Sequence, residues 1–268
     1  MRMMNFKTLA LSVILSTLGL ATVAQAENES DLQQLRTTNR CPECDLRGAN
    51  LQQFDLRGAN LFKAQLQGAD LRGVDLRSAN LNQANLYSAD LTQANLASAN
   101  LFGANLRNTI LERVDFREAD LSQADLAQAN LIKANLKDAS LVGTNFSQSY
   151  LNQANLENAD LRKAFLFQTD LEAANLTRAN LLGADLRKAN LDRTILENAN
   201  LTATILADTN IDRAKLSQTT LRGSLLQGTD LSPVVCVITN VVNCVVVPAS
   251  EQSENLLLQQ QVENQRYD

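Results

Sequence analysis

From Leu46 to Leu231 every fifth residue is Leu, apart from Phe116, Phe146 and Ile211, and no insertion breaks the phase. Five is the wrong period for a helix, where such a step turns the chain by about 500° and scatters the leucines around the axis. It is also wrong for a flat strand, where an odd step sends successive side chains to opposite faces. One geometry keeps all of these residues in a single core: a chain that turns a corner after every five residues and winds around a central axis. The spacing therefore predicts a β-helical solenoid in which each central residue points at the axis.

The other places of the pentad agree. Two residues before each centre stands Ala, Thr, Ser or Cys, except at Phe54, Val74 and Val114, so this place is predicted to be inward and small. The residue just before the centre is mostly Asp or Asn, short side chains that bond to local backbone at a bend and, when stacked, form ladders. Every glycine from Gly48 onward falls two places after a centre, which marks a turn needing positive φ. Related pentads, "LFKAQ", "LFGAN", "LVGTN", "LLGAD" and "LRGSL", recur at 61, 101, 141, 181 and 221. That longer period is two coils of four sides and no whole number of three-sided coils, which favours a square section.

Repeats such as "ANLNQ", "ADLTQ" and "ANLAS" resemble the A(D/N)LXX motif of the pentapeptide-repeat proteins, and the likeness covers most of the chain. The resemblance implies an all-β fold, a right-handed, four-sided (quadrilateral) β-helix solenoid with short capping segments. It implies no shared enzymatic activity, and the chain resembles exported cyanobacterial and plant-lumen members.

The ends depart from the pattern. Residues 1–26 combine Arg2 and Lys7, an apolar stretch and the small-x-small sequence Ala24-Gln25-Ala26, which reads as a secretory signal peptide cleaved before Glu27. Its removal leaves a chain more acidic than the overall net charge of −5 and with no stable membrane span. Residues 27–43 form an N-terminal cap, with a short helix expected over Ser30–Thr38 and Ser30 as its N-cap. The repeat β-helix is assigned to 44–249, its last coil, about 232–249, being degenerate, and 250–268 form a polar tail. Export makes Cys41, Cys44, Cys236 and Cys244 disulfide candidates. Since the two pairs lie at opposite ends of the rod, local bridges 41–44 and 236–244 are predicted.

The search for reactive chemistry yields no catalytic, cofactor or metal site: the chain contains no His and no phosphate-binding glycine loop, and the Ser and Thr residues of the repeat sit in slots that explain them. Paired carboxylates such as Asp70 and Asp75 occupy places the repeat assigns to Asp or Asn. Arg57, Arg77, Arg117 and Lys137 alternate with Asp55, Asp75 and Asp115 along one side and suggest a mutually neutralised face. More informative are apolar residues in outward places: Phe62, Phe102, Val142 and Leu182 on one side, and Phe165, Phe167, Ile205 and Leu225 on another. The resulting expectation is a non-enzymatic solenoid of the periplasm or thylakoid lumen that presents flat faces to an unknown protein partner or scaffolds an assembly, with no nucleic acid expected. Two alternatives compete with it: a DNA-mimicking, gyrase-interacting protein, disfavoured by the export signal and interspersed Arg, and a thiol redox protein acting through Cys41 and Cys44. The sequence does not define the oligomeric state.

Overall fold

A computed structural model describes residues 22–230 and contains one helix, α1 (Thr22–Thr38), followed by an unbroken series of coils. Each coil is four pentads long. Bridges join every residue before a centre to the residue twenty positions on, all of them parallel, from Arg40↔Asn60 to Ile205↔Leu225. Four sides follow, called here by their first central residue: Leu46, Leu51, Leu56 and Leu61. At about 4.8 Å per coil the described rod is roughly 45 Å long. No extended strand is named among the described residues, because the turn consumes part of each pentad and leaves one bridging residue per side.

One pentad accounts for all of its backbone donors. Asn80 N–H donates back to the Ala59 carbonyl (2.8 Å), while Leu81 and Gln83 donate forward to the carbonyls of Asn100 (2.7 Å) and Phe102 (2.9 Å). Ala84 closes the turn on the Leu81 carbonyl (2.9 Å). The remaining donor, Asn82 N–H, has no carbonyl in reach of this ladder and goes to Asn80 Oδ1 (3.2 Å). This is the physical reason for Asp or Asn before the centre: its side-chain oxygen replaces a missing backbone acceptor. Neighbouring Asn residues also stack along the axis, as from Asn200 Nδ2 to Asn180 Oδ1 (3.0 Å) and from Asn105 Nδ2 to Asn85 Oδ1 (3.1 Å).

All central residues from Leu46 to Leu226 are buried, as are the small residues two places before them, with few exceptions. Each buried Leu is worth about 1.5–3 kcal/mol before conformational entropy is counted, so stability accumulates coil by coil. Where the small residue is Thr or Ser, its hydroxyl is not wasted: Thr144 Oγ1 donates to the Leu121 carbonyl one coil back, and Thr204 Oγ1 to Leu201 in its own turn, both at 2.8 Å.

The turn differs from the sequence expectation in one respect. Positive φ occurs at the third place of every pentad from 48 to 228 except Gln53, so it is not confined to glycine and is adopted by Lys63 (φ 54°), Gln83 (φ 56°) and Arg178 (φ 58°) among many others. The left-handed region costs a non-glycine residue about 1–2 kcal/mol. Here it is imposed by the donated bond from the same residue to the next coil.

Gln53 is exceptional because Phe54 follows it. A phenyl ring does not fit the small inward place, so Phe54 turns out of the core, and its turn bond to the Leu51 carbonyl (2.9 Å) is kept. Its ring instead meets the cap, with the Arg36 guanidinium 5.1 Å from its centroid. Val74 and Val114, by contrast, are accommodated inside.

Helix α1 begins before Ser30, which therefore lies inside it instead of capping it. The cover is as expected: Leu35 is buried against the first coil, Leu32 packs against the core, and the Asp31 carboxylate accepts the Asp45 N–H (2.8 Å). Asn39, at φ 54°, ends the helix by donating its N–H to the Leu35 carbonyl (2.9 Å). Cys41 and Cys44 are both inward and buried, with Cα atoms 5.3 Å apart and sulfur atoms within bonding distance. Cys236, Cys244, the degenerate coil, the polar tail and nearly all of the proposed signal peptide lie outside the described residues.

The inward assignment predicts that Leu126→Asp lowers stability by several kcal/mol, since it buries an unpaired carboxylate in a leucine column. Gln153→Asp, at an exposed third place with φ 59°, should change it by less than about 0.5 kcal/mol. Thermal unfolding of both variants checks the assignment; equal shifts would contradict it.

Candidate interaction faces

Among the described residues the core is filled by repeat residues, so the candidate chemistry lies in the outward places. The side of Leu56 is the simplest. Asp before the centre and Arg after it sit on the same turn, so the guanidinium folds back as a fork: Arg57 Nε donates to Asp55 Oδ1 (2.8 Å), and Arg77 and Arg117 repeat the arrangement with Asp75 and Asp115, each pair closing to 2.7 Å. Lys137 pairs with Glu157 (3.1 Å) in the next coil. The hydrogen-bonded Arg57 holds Asp55 down to about 2, and on the side of Leu51 the same fork from Arg72 holds Asp70 well below the usual carboxylate range. These are solvent-exposed pairs, so they neutralise the face and add little stability.

On the side of Leu46, Phe165, Asp185, Ile205 and Leu225 occupy one bridged column in successive coils. None of these apolar residues is fully exposed; Ile205 is buried and Phe165, Phe167 and Leu225 are half-buried, which revises the sequence picture of freely outward side chains. They pack along the rod. Between them lies a feature the sequence analysis missed: Asp185, only 1% exposed, forms a two-pronged ion pair with Arg187, whose guanidinium stands 5.9 Å from the Phe167 centroid. Phe165, Ile205 and Leu225 all stand where the repeat uses an Asx oxygen, so each removes that acceptor from its turn.

The side of Leu61 is built differently. Its apolar residues follow the centre, and for three of the four the Asn before it is retained: Phe62, Phe102 and Leu182 donate their N–H groups to the Oδ1 of Asn60, Asn100 and Asn180 at 3.2, 3.0 and 3.3 Å, while Ser140 stands in that place before Leu141 and Val142. At these three positions apolar display leaves the backbone accounting intact. Phe102 and Leu182 are 39% and 40% exposed, while Phe62 and Val142 are half-buried, with Lys63 Nζ 5.1 Å from the Phe62 centroid.

The side of Leu51 holds a further patch that the sequence analysis overlooked. Ile110 and Tyr150 flank Asn130 in one bridged column and are 44% and 53% exposed, and Ile132 lies in the pentad between them. The available signal was the loss of Asp or Asn at 110 and 150. Among the described residues no helix is long and apolar enough to cross a membrane, and no group of three or more His, Cys, Asp or Glu is placed to hold a metal ion.

The family model for pentapeptide repeats matches in eight copies, running from residues 41–77 to 194–232. The chain belongs to the pentapeptide repeat family. Among solved structures it is similar to HetL, a pentapeptide repeat protein involved in heterocyst differentiation regulation from the cyanobacterium Nostoc sp. strain PCC 7120, at 32% identity over 70% of this chain and 86% of that one, with a TM-score of 0.52. A pentapeptide repeat protein from the Arabidopsis thaliana thylakoid lumen matches at 30% identity over 40% of this chain and 64% of that one, with a TM-score of 0.21. QnrB1, a plasmid-mediated fluoroquinolone resistance protein, matches at 19% identity over 71% and 88% of the two chains, with a TM-score of 0.44. No curated protein matches the chain by sequence.

The Arg–Asp forks generate a test by titration. Because the Asp55 carboxyl is depressed in the folded state, whatever it contributes is complete above its ordinary value of about 3.9 and is lost as pH falls through about 2. Arg57→Gln should return the Asp55 pKa toward the ordinary value with little change in melting temperature at neutral pH. Carboxyl NMR titration checks it, and an unmoved Asp55 would remove the fork as the cause.

Proposed function

We propose that this protein is an exported, non-enzymatic solenoid, a right-handed quadrilateral β-helix whose flat sides bind protein partners or hold an assembly together in a periplasm or thylakoid lumen. The observation that carries this reading is the placement of apolar residues at outward places of a repeat that otherwise fills them with polar ones, grouped on three of the four sides, while the Leu56 side holds Ile195 as its one large apolar residue among those described. Phe62, Phe102, Val142 and Leu182 are the proposed partner surface on one side, and Phe165, Phe167, Ile205 and Leu225 on another. Export is supported by the pattern of residues 1–26 and by the inward Cys41–Cys44 pair, which the reading treats as a structural staple of the first corner.

Two measurements test it. Incorporating a photoreactive amino acid in turn at 102, 150 and 167 in the native organism should give discrete protein cross-links, whereas only unreacted chain at all three would remove the scaffold reading. The mature protein from that organism should start at Glu27 and yield a Cys41–Cys44 peptide without reduction. A retained residue 1–26 segment would overturn export, and free thiols at 41 and 44 would overturn the staple.

A further inference from the structure

The Leu61 side has a second period laid over its coils. In the place after the centre, Phe62, Phe102, Val142 and Leu182 alternate with Asn82, Ser122, Arg162 and Thr202. At the next place Gly103, Gly143 and Gly183 accompany the apolar residues, while Gln83, Gln123 and Lys163 accompany the polar ones. Positive φ does not explain these glycines, since Gln83, Gln123 and Lys163 adopt the same conformation. What glycine does here is remove a side chain beside three of the four apolar knobs, Phe102, Val142 and Leu182, whereas Phe62 is followed by Lys63. The only atoms a Cβ would meet are in the flexible side chains of Gln83, Gln123 and Lys163, which lie over Gly103, Gly143 and Gly183.

Knob and notch therefore repeat every two coils, about 9.6 Å along the rod. An α-helix presents residues seven apart every ~10.5 Å on nearly the same face. The mismatch is under about 1 Å per repeat and about 3 Å from Phe62 to Leu182, within the reach of side chains. Charge selects among helices. Outward ionised groups on this side are Lys63, Arg162, Lys163 and Arg222 against Asp120 and Asp160, whereas each of the other three sides carries at least as many carboxylates as cations and the chain as a whole is acidic. Of the four sides, this one favours an acidic ligand.

We infer that the Leu61 side is a docking face for an acidic amphipathic helix of a partner protein, lying along the rod with apolar residues seven apart seated on Phe62, Phe102, Val142 and Leu182. Beside Phe102, Val142 and Leu182 the glycine notches admit the helix backbone once the flexible side chains of Gln83, Gln123 and Lys163 swing aside, and Glu or Asp flanking its apolar stripe meets Lys63, Lys163 and Arg222. This rests on the interaction reading above and specifies one face and one occupant for it.

The test uses the full mature chain and a labelled synthetic helix of about four heptads, with Leu at every seventh position and Glu on both flanks. Its control has the same composition with the leucines scattered around the helix. Fluorescence anisotropy should show saturable binding of the first peptide, weakened by salt. Phe102→Ser combined with Leu182→Ser should weaken it by about tenfold or more, and Tyr150→Ser, on another side, should leave it unchanged. Equal binding of the scattered peptide, failure of the heptad peptide to bind, or indifference to the double substitution would overturn the inference. So would a cross-link from position 102 to a second copy of this chain, to its own C-terminal segment or to a protein with no such helix. Those outcomes leave the scaffold reading standing as long as discrete protein cross-links form; that reading falls when no outward position yields one.

Discussion

One backbone N–H per pentad sets the terms for the whole molecule. Four of the five donors find carbonyls in their own turn or in a neighbouring coil, but the residue after each centre has none, and the Asx side chain before the centre supplies the acceptor. A buried or half-buried donor left without a partner costs about 1–3 kcal/mol, and a solenoid repeats that cost on every side of every coil. Meeting it locally lets each corner be sharp, and sharp corners bring the leucine columns together. Core, turn and ladder are consequences of the same five-residue solution.

That solution explains why the architecture is legible in the sequence. The period of the leucines, the smallness of the residue two places earlier and the confinement of glycine to one place each report on the same geometry, and the bridges twenty residues apart supply the four sides that period five leaves open. What could not be read was conditional on three-dimensional neighbours. Glycine suggested a special turn residue, yet the bond to the next coil forces Lys63 and Arg178 into the same region. Phe54 breaks the small-residue rule, and only the position of α1 shows where its ring goes. The helix start was misplaced at Ser30, because a good capping residue is also a tolerable helical one.

The candidate surface was legible in part for a related reason. Outward apolar residues stand out once the repeat is known, so the Leu61 and Leu46 sides were visible. Their environments were not. Asp185 is an ordinary Asp in the sequence and a buried ion-paired group in the structure, because Phe165 and Ile205 bridge to it from either side. Ile110 and Tyr150, like Phe165 and Ile205, replace an Asx residue, and such a change looks like repeat decay until its exposure is known.

The left-handed third place also sorts the positions by what mutation can write on them. From 48 to 228 it contains no β-branched residue, aromatic residue or proline, the types for which positive φ is most costly or impossible. The place just before it has no such filter and holds Arg, Asp, Phe, Tyr, Ile, Val and Thr within the same rod. Each side of the solenoid thus offers evolution one editable column, addressed at coil intervals and insulated from the core by a backbone that does not depend on its content. A new binding specificity can be composed along that column one letter at a time without renegotiating the fold.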